Sequence, residues 1–237
     1  MRLRILFFMS NKVLVRSSVS FALKVLIFLF VFVGQTLAIF SSRYDGYSSW
    51  SARLLYYTNQ SNVWLGLTAL LFIIFETIER FTGRRIDKEW LYVFKFVFTV
   101  SITMTGLVYC CLLAPFADDS YHVWSAFGVT THVIVPVLAI ADYFIDDYMF
   151  TLKKSQFIVG ILPSIIYFAI TSVLCLLRFD FGRGDAFPYF FMNFYSPIGV
   201  FGFKWGNPPL VGSMYWFILF TLVVLLISYA YARLKKG

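Results

Sequence analysis

The run Phe127-Gly-Val-Thr-Thr-His132-Val-Ile-Val-Pro136-Val-Leu-Ala-Ile-Ala-Asp142-Tyr-Phe-Ile145 decides how this chain is read. At 1.5 Å of rise per residue it is long enough to cross ~30 Å of hydrocarbon. It nevertheless carries a histidine and an aspartate. Ionisable groups are costly in lipid, so they face a protein interior or a water-filled cavity and mark function by default. His132 lies about eight residues past the expected start of this helix near Trp124, or ~12 Å in. Pro136, four residues later, removes the hydrogen bond to the His132 carbonyl and bends the helix there.

Outward from this segment, similar apolar runs occupy about 19–40, 62–80, 91–113, 157–177 and 212–232, which with 124–145 makes six spans. The composition agrees: 60% of the residues are hydrophobic and only 14% are charged, far from a soluble domain. The expected fold is an all-α integral membrane protein, a six-helix transmembrane bundle that takes up residues 1–237 as a single domain. No internal repeat is visible, so an inverted-repeat transporter has no support in the sequence. The long connections are 41–61 and 178–211.

Basic residues set the expected orientation. Arg2, Arg4, Lys12, Arg16, Arg80, Arg84, Arg85, Lys88, Lys153, Lys154, Arg233, Lys235 and Lys236 all fall on one side of a six-span topology. The opposite loops hold only Arg43, Arg53, Arg178, Arg183 and Lys204. By the positive-inside rule both termini are cytoplasmic, in the cell membrane. The net charge of +8 is therefore a topology signal, and nucleic acid is not needed to explain it. The first apolar run, at about 20 residues, is longer than a signal-peptide core, so it reads as an uncleaved span, with Met1 or Met9 as the start. Cys110, Cys111 and Cys175 lie inside spans and fit neither a disulfide framework nor a zinc site, and no metal or cofactor is implied.

A second polar cluster, Tyr57-Thr58-Asn59-Gln60-Ser61-Asn62, opens the second span on the His132 side of the membrane. A threonine hydroxyl is a poor nucleophile until a base takes its proton, and histidine is the side chain suited to that near neutral pH. Thr58 and His132 are thus the candidate catalytic pair. Asn62, Ser61 and Gln60, with the free N–H groups of the helix N-terminus, are candidates for substrate binding or oxyanion stabilisation. The bland alternatives are a helix cap for Thr58 and inter-helix glue for His132. The spacing puts His132 about two turns deeper than Thr58, a gap that tilt or an earlier helix start has to close. Asp142, ~15 Å beyond His132, is too far for a triad and reads as half of an ion pair with a basic residue such as Arg80 or Arg84. Asp118, Asp119 and His122 would make the approach to His132 polar. The aromatic stretch from Arg178 to Pro197 reads as an interfacial loop over the mouth of the bundle.

These residues resemble a known family. Tyr57-Thr58-Asn59-Gln60-Ser61-Asn62 is similar to a bacterial Phe-Thr-x-x-Ser-Asn motif, and His132 to Asp142 to a His-x-x-x-Pro-x-x-x-x-x-Asp motif in a fourth helix. Pro163 to Tyr167 and Phe187-Pro188-Tyr189-Phe190 fit two further segments. Over roughly residues 50 to 232 the chain resembles a bacterial relative of the androgen-induced protein family of six-span membrane proteins. Animal members hydrolyse fatty acid esters of hydroxy fatty acids with a threonine and a histidine matching Thr58 and His132. The resemblance implies a lipid-ester hydrolase of the bacterial inner membrane with a lipid-like ester as its partner. A transporter or small-molecule binding subunit, and an acyltransferase using the same pair, remain the alternatives.

Overall fold

Hydrocarbon length dictates the architecture. The computed structural model describes residues 2–42, 46–115, 124–146, 156–206 and 210–235, with side chains from Ser17 onward. It is mostly helical, and six helices are long and apolar enough to cross a membrane. We number them α1 (Arg2–Ser41), α2 (Tyr57–Thr82), α3 (Glu89–Leu113), α4 (Ala126–Ile145), α5 (Gln156–Leu176) and α6 (Ser213–Leu234). The span expected from residue 62 begins five residues earlier, at Tyr57. Its polar opening turn reads as loop by hydropathy but is helical, because Asn59 and Gln60 donate to the carbonyls of Arg53 and Leu54 in the short helical turn before it. Asp118, Asp119 and His122 lie outside the described residues.

α1, α2, α3 and α4 pack as a group, and α5 and α6 pack on the far side of α3. Small residues let the backbones approach. A Cβ at Gly66 of α2 would lie 2.7 Å from Val31 of α1, and one at Gly34 of α1 would lie 2.7 Å from Thr131 of α4. Gly160 of α5 sits against Ser228 of α6 in the same way. The core between α1, α2, α3 and α4 is Ile27, Val31, Leu65, Ala69, Ile102, Val135 and Ala139.

The connection from α5 to α6 is the aromatic loop. Phe181, Phe191 and Met192 are buried in it, and Tyr189 stacks on Phe191 with ring centroids 4.9 Å apart. It also holds an antiparallel hairpin, β1 (Phe203–Lys204) with β2 (Leu210–Val211), which the hydropathy pattern does not announce.

One end of the bundle is ionic. Lys24 of α1 pairs with Glu76 of α2 (3.0 Å), Asp146 (3.3 Å) and Asp142 of α4 (3.6 Å). Lys95 of α3 pairs with Asp142 (2.7 Å) and Asp146 (2.5 Å). Ser20 donates to Asp142 at 2.6 Å. Lys24 and Lys95 both lie over the Phe72 ring. Asp142 is thus an ion-pair residue, but its partners are the intramembrane lysines 24 and 95, not Arg80 or Arg84. Arg80 instead covers Phe21, 4.0 Å from its ring centroid. Just past α4, burial disfavours the Asp146 carboxylate, yet Lys95 and Lys24 outweigh it and hold its pKa well below the usual range. Lys235, past α6, is pushed down to about 8 by burial and by the charge of Lys95.

Candidate functional site

The opposite end of the bundle carries the polar residues singled out in the sequence. Thr58 is in the first turn of α2, and its hydroxyl lies 3.4 Å from the Tyr189 phenol of the aromatic loop. The Thr58 N–H, free because it opens a helix, points to the same oxygen at 3.5 Å. Tyr189 in turn meets Tyr56 edge to face, with centroids 5.5 Å apart. Burial and the adjacent Tyr47 raise the Tyr56 phenol well above its usual pKa, so it stays neutral.

His132 lies in a π-helical turn, Thr130–Ile134. The cause is Pro136, which has no N–H to bond the His132 carbonyl, while the Val135 N–H reaches back to the Thr130 carbonyl. The His132 carbonyl faces α3 at Gly106, where a Cβ would come within 3.0 Å of it. A second π-helical turn, Tyr109–Leu113, stands opposite. Its Tyr109 stacks on the His132 ring with centroids 3.8 Å apart.

The hydrogen bonds of His132 assign its tautomer. Nδ1 is 2.9 Å from the Gly128 carbonyl, which can only accept, so Nδ1 carries the proton. The Thr131 hydroxyl gives its own proton to the Phe127 carbonyl at 2.8 Å and accepts from Nδ1 at 2.9 Å. Nε2 is then the basic nitrogen, and it makes no hydrogen bond to any described residue.

Asn62 links the two halves. Its side-chain nitrogen donates to the Thr58 carbonyl at 2.8 Å and to the Thr131 carbonyl at 3.2 Å. Asn62 thus ties the first turn of α2 to the residue that precedes His132 in α4. Asn62 is fully buried and its Oδ1 has no partner among the described residues. Ser61 donates to the Thr58 carbonyl (3.0 Å) and meets the Thr105 hydroxyl of α3 (2.9 Å). Gln60 turns away, its amide on the Leu54 carbonyl. No hydrogen bond joins Thr58 to His132 among the described residues.

Thr58 lines a cavity of about 720 Å³, part of it open to the surroundings. The walls are mainly apolar and come from α2, α3, α5, the Tyr189–Met192 segment and α6. Polar groups punctuate them. Tyr57 and Ser164 share a hydrogen bond of 2.9 Å, and Tyr167 donates to the Leu55 carbonyl at 3.0 Å. This lining suits a mostly apolar ligand with a few fixed polar contacts. His132, Asn62 and Ser61 lie behind the Thr58 wall and do not line the cavity. The sequence places Tyr189 in a family-like segment and in the loop over the bundle mouth without giving it a role, and it does not single out Ser164, which the fold brings to Tyr57 beside Thr58. Among the described residues no cluster of histidine, cysteine, aspartate or glutamate could hold a metal ion, and all three cysteines are free.

Six lipid-length helices around an internal polar site define a multi-pass helical membrane protein. No protein-family model, curated protein or solved structure matches the chain.

Proposed function

We propose that this chain is an intramembrane hydrolase of lipid fatty-acyl esters, with Thr58 as nucleophile and His132 as its base. The observation that carries the reading is the His132 tautomer, with Nδ1–H tied to Gly128 and Nε2 left basic, and Asn62 bridging the neighbouring Thr131 carbonyl to that of Thr58, a threonine on the wall of an apolar cavity. Thr58 Oγ1 attacks the ester carbonyl carbon while His132 Nε2 takes its proton, directly or through one water. The carbonyl π bond opens, and its oxygen takes the charge. The carbon–oxygen bond to the alcohol then breaks, and the imidazolium returns the proton to the departing alkoxide. Water, deprotonated by His132, releases the acyl group from Thr58. Asn62 and Ser61 fix the Thr58 backbone, so stabilising the oxyanion falls to the Tyr189 phenol beside Thr58.

The resemblance to the androgen-induced protein family supports the same pair of residues. The excess of lysine and arginine in the loops between α2 and α3 and between α4 and α5, and at both ends of the chain, supports cytoplasmic termini in a bacterial inner membrane. That orientation puts Thr58 on the outer side.

A second reading is a lipid-binding or transporting protein without turnover. The observation that favours it is the absence of His132 from the cavity wall. Fluorophosphonate labelling of detergent-purified protein separates the two. Labelling of wild type that is lost in folded Thr58→Ala and His132→Ala supports the hydrolase. No labelling of folded wild type sinks it in favour of the second reading. Turnover that depends on an added alcohol or lysolipid would make the enzyme an acyltransferase.

A further inference from the structure

Ser213 opens α6 and stands on the wall of the same cavity as Thr58. Its residue is 2% exposed, and its hydroxyl has no hydrogen-bond partner among the described residues. Most other hydroxyls in or beside this wall are engaged, Tyr57 with Ser164, Tyr167 with the Leu55 carbonyl, Thr105 with Ser61 and Thr58 with Tyr189, while the half-buried Thr221 makes no hydrogen bond to a described residue. A hydroxyl buried without a partner is destabilising; Ser172 and Ser228 share that state, but of the three Ser213 alone lines the cavity and is placed to take its bond from a ligand there.

The local backbone strengthens the point. Ser213 is in the first turn of a helix of 22 residues, where its N–H has no acceptor within the helix, and Gly212 before it brings no capping side chain. Hydroxyl and helix N-terminus together favour an acceptor oxygen. The charge of that oxygen follows from the lining. No lysine or arginine lines the cavity among the described residues, and burying an anion beside a lone hydroxyl costs more than the hydrogen bond returns.

We propose that Ser213 anchors a neutral oxygen group, a hydroxyl or an ester carbonyl, of the aliphatic ligand that fills this cavity. Resting on the Thr58 reading, the substrate is then an ester lipid with a second neutral oxygen placed to meet α6 while its scissile ester meets α2. A plain hydrocarbon-tailed ester, its one ester group at α2, leaves Ser213 unsatisfied.

Trp216 lines the cavity one turn from Ser213 and provides the readout. The probes are a long-chain alcohol brominated along its chain, the matching bromoalkane without the hydroxyl, and the matching brominated carboxylate at pH 9. Quenching assigned to Trp216, as the difference between wild type and Trp216→Phe, gives each affinity. The alcohol should bind about tenfold more tightly than the bromoalkane, and the carboxylate more weakly than the alcohol. In Ser213→Ala the alcohol's advantage should vanish while bromoalkane binding is unchanged. The unliganded melting temperature should stay level or rise, because an unpaired polar group has gone. Equal binding of alcohol and bromoalkane to wild type, an advantage that survives in Ser213→Ala, or no quenching of Trp216 by any probe would each overturn the proposal. Fluorophosphonate labelling of the same Ser213→Ala protein keeps the two readings apart. Labelling of Thr58 without head-group discrimination retains the hydrolase and removes the Ser213 subsite. Discrimination without labelling does the reverse.

Discussion

The two ends of this bundle solve the cost of polar groups in lipid in opposite ways. At the ionic end Lys24, Lys95, Glu76, Asp142 and Asp146 come from four helices and neutralise one another within 4 Å. At the Thr58 end hydroxyls and amides predominate, and among the described residues Asn62 Oδ1 and Ser213 Oγ have no hydrogen-bond partner. A satisfied network holds helices together, whereas a partly satisfied one is available to a ligand.

The largest effect is expected at the ionic end. Asp142→Ala leaves two buried lysines short of their shared carboxylate and should remove about 3–5 kcal/mol of stability, read as lost monodisperse protein on size-exclusion chromatography in detergent. A mild outcome would mean that the network is not what clamps α1, α3 and α4. The complementary change, His132→Gln, should lower ester hydrolysis about 10²–10⁴-fold while the melting temperature falls only slightly. Equal losses of fold and activity in that variant would erase the contrast between the ends.

Two smaller changes sharpen it. Gly106→Ala forces a methyl against the His132 carbonyl and Pro136, and should cost about 1–3 kcal/mol together with part of the activity. Gly83→Ala, at a helix end with open space around it, is the control for backbone strain without a clash. A further effect is pH dependence at the ionic end. The folded pKa of Lys235, about 8, is below the 10.5 of the unfolded chain. Between those values the unfolded state binds more protons, so stability should rise as pH climbs from about 8 to 10.5. Lys235→Met should flatten that rise in thermal melts, and an unchanged slope would assign it to another group.

How much of this was legible in the sequence follows from what each feature depends on. The six spans are set by apolar length, which is local, so they could be read to within a few residues. The start of α2 could not, because Thr58 to Asn62 are polar yet helical. Asp142 was recognisable as an ion-pair residue, but its partners were sought in the basic loops. Lys24 and Lys95 carried the signal that singled out His132, an ionisable side chain inside an apolar run, and applying that rule to lysine would have found them. Ser164 and Ser213 had no local signal, and Tyr189 stood in a family-like segment with no role attached. They line one cavity with Thr58 only because α5 and α6 pack against α3.

That placement has a kinetic consequence. α5 and α6 bury the smallest share of their surface of the six helices, and together they form much of the cavity wall. A ligand that slips between them never has to leave the bilayer. Its effective concentration is then its mole fraction among the surrounding lipids, and turnover should follow surface dilution with inert detergent or lipid at constant bulk concentration.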